Sequence, residues 1–102
     1  MKYIITESKL DSVVNKYMNS YYGDIEMTVD EDGYIYFFTE KDIDIEGYRK
    51  RIAHRNRYGT LWVGYNFFSR MVDLFGTNVG MSIKRYYEDK FGIEVKQVNI
   101  EF

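Results

Sequence analysis

Asp24-Ile25-Glu26-Met27-Thr28-Val29-Asp30, then Glu31-Asp32-Gly33, then Tyr34-Ile35-Tyr36-Phe37-Phe38-Thr39-Glu40: this stretch decides the fold. In the first arm Ile25, Met27 and Val29 alternate with polar residues, and the second arm is dense in aromatic and β-branched residues. Two runs of period two around an Asp-Gly turn are the strongest short-range signature of a β-hairpin. The second arm is apolar on both of its faces. Tyr34, Tyr36 and Phe38 share one face and Ile35 and Phe37 the other, because successive strand side chains point to opposite sides. Helices of the same chain cover one side; the other predicts a surface for a protein partner, a second copy of the chain included. Tyr34, Tyr36 and Phe38 are the candidate contacts.

Before the hairpin, Tyr3 to Ile5 reads as a short strand and Thr6 offers an N-cap oxygen. Leu10, Val13, Val14, Tyr17, Met18 and Tyr21 then form one helical stripe, and Gly23 supplies a left-handed stop. After the hairpin, Ile43 and Ile45 alternate with acids as a further edge strand up to Gly47. Residues 48–58 fit a strand, with Arg49, Arg51, Arg55 and Arg57 on one face and Tyr48, Ile52, His54 and Tyr58 on the other. They also fit a helix seamed by Ile45, Tyr48 and Ile52. A turn at Asn56-Arg57-Tyr58-Gly59, ahead of Thr60-Leu61-Trp62-Val63, favours the strand.

Asn66 is expected to cap a helix whose Phe67, Phe68, Met71, Val72, Leu74 and Phe75 are apolar almost all round, which predicts burial, with Gly76 ending it. Thr77 or Asn78 opens another helix, with Val79, Ile83, Tyr86, Tyr87 and Phe91 inward and Gly92 closing it. Ile93–Lys96 and Val98–Phe102 each alternate, and a bulge at Gln97 would reconcile their phases. The 102 residues therefore predict one α+β domain, an antiparallel sheet with about three helices on one face.

Composition narrows the chemistry. The chain has no cysteine, which excludes disulfides and thiolate chemistry, and a single histidine, His54, which excludes multi-histidine metal sites. Asp42 and Asp44 share a strand face as two metal ligands could, with His54 as a general base. Charged alternation on a solvent-facing edge explains the two acids as well, and no nucleophile motif accompanies the histidine. No cofactor and no metal site is expected, and the reading leans away from an enzyme. No apolar run approaches a membrane span or a signal-peptide core, which predicts no membrane partner and a cytosolic address.

Charge is segregated along the chain. Residues 24–46 hold nine acids against Lys41, a net of −8, whereas residues 49–57 hold Arg49, Lys50, Arg51, Arg55 and Arg57. One reading sets the basic strand beside the acidic hairpin as its counter-charge. The alternative is a small RNA- or DNA-binding protein in which Arg49, Arg51, Arg55 and Arg57 take phosphates while Tyr48 and Tyr58 stack bases. The overall charge of −2 favours the first.

Met1-Lys2-Tyr3-Ile4-Ile5-Thr6-Glu7-Ser8-Lys9-Leu10, Leu61-Trp62-Val63, the Phe67–Phe75 helix and Phe91-Gly92-Ile93-Glu94-Val95-Lys96 resemble small uncharacterised accessory proteins of tailed phages, marine ones especially. The resemblance covers both ends of the chain and not its middle. It implies a phage-like accessory or host-modulating protein in the host cytosol, acting by protein binding, and it transfers no active site.

Overall fold

The computed structural model describes residues 7–43 and 49–102. Its elements follow in the order α1 (Glu7–Tyr22), β1 (Ile25–Val29), β2 (Ile35–Ile43), β3 (Arg49–Arg55), β4 (Thr60–Gly64), α2 (Tyr65–Phe75), α3 (Val79–Phe91) and β5 (Gln97–Glu101). The class is α+β, as the pattern predicts. The expected strand at Tyr3–Ile5, the Thr6 cap, and Ile45 through Gly47 lie outside the described residues.

The two described hairpin turns, β1–β2 and β3–β4, are built by the same chemistry. Asp30 Oδ1 accepts the backbone N–H groups of Asp32 and Tyr34 at 2.9 and 3.0 Å, and Gly33 adopts a φ of +86°. Asn56 Oδ1 accepts those of Tyr58 and Thr60, both at 3.0 Å, with Gly59 at +92°. An acceptor side chain at the first position and a glycine at the fourth satisfy the turn donors and allow positive φ. The second turn resolves residues 48–58 in favour of a strand, at least from Arg49 onward.

Strands β1 to β4 form an antiparallel meander, and β5 joins β4 in parallel to give the sheet order β1-β2-β3-β4-β5. The sheet is therefore mixed and not wholly antiparallel. Two helices separate β4 from β5, and such a crossover returns the chain in its original direction. The expected strand at Ile93–Lys96 is absent. Its backbone is tied elsewhere: Val95 N–H donates to Glu88 Oε2 at 3.2 Å and Lys96 N–H to the Gly59 carbonyl at 2.8 Å.

Alternation in β2 places Ile35, Phe37 and Thr39 in the core, joined by Ala53 of β3 and by Leu61 and Val63 of β4. Phe37 lies at its centre, its ring centroid 4.8 Å from that of Tyr87 and 4.9 Å from that of Phe91. Helix α3 buries Val79, Ile83, Tyr86 and Tyr87, matching the expected face. Helix α1 buries Leu10, Val14, Met18 and Tyr22, one residue every four, whereas Val13 and Tyr21 of the expected stripe are exposed. Asp11 holds α1 to α3, accepting the Ser82 hydroxyl at 2.6 Å and pairing with Arg85 at 3.0 Å.

Helix α2 departs most from expectation. It begins at Tyr65, with Gly64 and not Asn66 at its N-cap, and Met71 is its buried residue. Phe67 and Phe75 are partly buried through edge and tilted ring contacts with Tyr22 and Tyr17 of α1, while Leu74 is 54 % exposed. An eleven-residue helix at the margin of the sheet has too few neighbours to cover a full apolar circumference.

These placements have different energetic weights. Phe37→Ala should lower unfolding stability by about 3–5 kcal/mol in urea titration, since it opens a cavity among rings. Leu74→Ala should change it by no more than about 0.5 kcal/mol. A large loss at Leu74 would contradict the marginal position of α2.

Candidate functional site

On the face of the sheet opposite the core, register brings ring side chains into line. Thr28 of β1 is opposite Tyr36 of β2, Tyr36 opposite His54 of β3, His54 opposite Trp62 of β4, and Trp62 beside Asn99 of β5. The rings of His54 and Trp62 are nearly parallel, at 11° with centroids 6.3 Å apart. Tyr36 is 6.3 Å from His54, and Tyr34 stacks beside Tyr36 at 6.4 Å. Tyr34, Tyr36, Phe38 and Trp62 are each half-buried on a face that no described helix covers. The three expected partner-binding residues thus belong to a wider row that includes His54 and Trp62.

A β-bulge arranges the charges on this face. Phe37 pairs with Ala53 but Phe38 with Arg51, so Ile52 is the extra residue, and it packs against the core. The phase shift turns Arg51 onto the aromatic face, its guanidinium carbon 5.8 Å from the Tyr36 ring centroid. Arg55, four residues on, is in register with the inward Ile35 and Leu61, and its Nε donates to the Glu94 carbonyl at 2.6 Å. Arg57 lies in the turn, donating to the Tyr58 hydroxyl at 2.8 Å. Arg51, Arg55 and Arg57 therefore do not share a face, which corrects the simple alternation read from the sequence. Tyr48 and Asp44 lie outside the described residues. Of Arg49 only the backbone is described; it pairs with Ile43 at the start of β3.

The carboxylate meeting Arg51 comes from β5. Glu101 is in register with Gly64, which has no side chain, so Arg51 Nη2 reaches over β4 to Glu101 Oε1 at 3.3 Å. Asp30 of the hairpin accepts the Tyr36 hydroxyl at 3.2 Å, and Glu26 of β1 is on this face too, opposite Phe38. Burial, reinforced by Asp30, raises the Tyr36 pKa.

His54 is the group with the most constrained environment. Its side chain is 14 % exposed, and Nδ1 lies 3.6 Å from Glu101 Oε2, inside electrostatic range but beyond a hydrogen bond. Among the described residues this buried Nδ1 has no hydrogen-bond partner. Burial and then Arg51 lower the His54 pKa, and Glu101 opposes them only in part. The imidazole is neutral at neutral pH. The sequence offers His54 as a general base beside Asp42 and Asp44. The Asp42 side chain and the whole of Asp44 lie outside what is described, and among the described residues no three His, Asp or Glu side chains gather as metal ligands. From the sequence Trp62 is an aromatic near the basic segment that could stack bases, and Glu101 is not singled out; their places beside His54 come from cross-strand register, which spacing within one strand does not record.

A hollow of about 380 Å³ lies elsewhere, between the start of α3 and β5, with Asn78, Met81, Lys84 and Lys96 in its walls. Lys84 is already paired with Glu88 at 3.0 Å. A scan against protein-family models found no match to this chain, and searches of curated proteins and of solved structures found none either.

Because the folded chain holds the His54 proton less tightly than the unfolded chain, this group's contribution to stability is complete above its ordinary value of 6.5 and falls as pH drops through it. An NMR titration of this single histidine should give a pKa below 6.5, and thermal melts at falling pH should lose more in the wild type than in His54→Gln. A pKa above 6.5 would mean that Glu101 outweighs burial.

Proposed function

We propose that this protein is a non-enzymatic protein–protein interaction module, that the open face of its sheet is the docking surface, and that a second copy of the chain occupies it. The observation that carries this reading is the row of rings across β2, β3 and β4 on the uncovered side. Tyrosine and tryptophan supply contact area with little conformational entropy to lose, and they are enriched in interface cores. Phage-like accessory proteins, which both ends of the chain resemble, are a class this role fits.

Charge supports a second copy as the occupant. Arg51 and Glu101 lie on the same face on either side of Gly64, so the patch carries a cation and its matching anion. A two-fold axis near Gly64 would set each Arg51 against the other copy's Glu101, which is the self-complementarity an isologous dimer needs. Five strands about 4.8 Å apart and about five residues long present roughly 400 Å² per copy. That is about half the ~800 Å² per partner of a standard interface, so the dimer is expected to be weak and concentration-dependent. Nucleic acid is the less favoured occupant. Arg51 is paired with a carboxylate, Arg55 is directed to the other face, and Arg57 is engaged by Tyr58, which leaves a scattered set of cations in place of a phosphate track.

Sedimentation velocity over a concentration series tests this. The wild type should pass from monomer to dimer, and Trp62→Ala, checked for folding by its melt, should weaken the dimer at least about thirtyfold, the size of an interface hot spot. A wild type that stays monomeric at all concentrations, or co-purifies with material absorbing at 260 nm that salt removes, overturns the reading.

A further inference from the structure

We propose that protonation of His54 releases the docking face, so that copies associated at neutral pH separate in mild acid; this rests on the self-association proposed above. The imidazole is in the middle of the ring row, between Tyr36 and Trp62, and beneath any occupant of that face. Every element packed against it contributes a defined group. From β2 come Tyr36 and, through its hydroxyl, Asp30; from β3 comes Arg51. From β4 comes the uncharged Trp62, and from β5 come Glu101 and, one row nearer, the neutral Asn99.

Among the described residues, the full charges beside the imidazole at its Glu101 side are one guanidinium and one carboxylate, which offset each other, while the Asp30 carboxylate lies beyond it at the Tyr36 hydroxyl. A proton adds a cation that is largely shielded from water, since the side chain is 14 % exposed. It also creates a second claimant for one carboxylate: Arg51 Nη2 is 3.3 Å from Oε1 and His54 Nδ1 is 3.6 Å from Oε2. A second copy seated on this face would remove the water that remains over the imidazolium, and a cation so desolvated, sharing one carboxylate with Arg51, opposes association. The direction of the His54 shift, toward the neutral form, accords with this. Linkage requires the reciprocal effect, that association itself make His54 harder to protonate.

The experiment is sedimentation velocity of the full chain at about pH 7.5 and about pH 5.5, either side of the ordinary histidine range, with circular dichroism at each pH to confirm folding. Wild type should associate at least tenfold more weakly at the lower pH, and His54→Gln should associate equally at both. A second measurement covers a variant that fails to fold: the His54 NMR titration in wild type at low and high protein concentration should give a lower pKa at the higher concentration. A dimer whose strength does not change with pH, a His54→Gln variant with the wild-type pH response, or a concentration-independent pKa in an associating protein overturns the gating while leaving the docking face intact. Absence of association at pH 7.5 overturns the docking face, and the gating with it.

Discussion

The packing of Phe37 against Tyr87 and Phe91 is the contact on which the rest of the molecule depends. Because strand side chains alternate strictly, burying Phe37 also commits Ile35 and Thr39 to the core and sends Tyr34, Tyr36 and Phe38 to the opposite face. A slip of one residue would exchange the two sets. The helices then have one side of the sheet to cover, and α3, with five buried side chains, and α1, with four, supply that cover. The aromatic row on the other side is thus a consequence of the same register that builds the core.

Much of the fold was legible because local chemistry and global packing agree. The β1–β2 hairpin, the inward face of α3 and the left-handed glycines at positions 23 and 92 each follow from patterns of a few residues. Helix α2 was misjudged because a sequence shows which residues are apolar but not how many neighbours reach them; Leu74 is at a margin where none of the sheet extends. The parallel pairing of β5 follows from a crossover that no local pattern records. The segment Ile93–Lys96 alternates like a strand, yet Glu88 and Gly59 claim its backbone before any ladder can.

The candidate site was legible in part. Tyr34, Tyr36 and Phe38 follow from alternation within one strand. Their neighbours His54 and Trp62 required the register between strands, which alternation within a single strand does not record. The bulge at Ile52 divides the arginines: Arg51, Arg55 and Arg57, which simple alternation would align, are separated, with Arg51 beside Tyr36 and Glu101 and Arg55 bonded to Glu94. Among the described residues, what reads as a basic stripe in one dimension places one arginine, Arg51, in an ion pair at the corner of an aromatic patch.

An isotope-filtered NOE experiment on a mixture of labelled and unlabelled chains, at a concentration where sedimentation detects dimer, tests the central claim most directly. Contacts between copies should arise from Tyr34, Tyr36, Phe38 and Trp62. Intermolecular contacts confined to exposed helix residues such as Val13, Leu74 and Met81 would place association on the wrong side of the sheet and contradict the account.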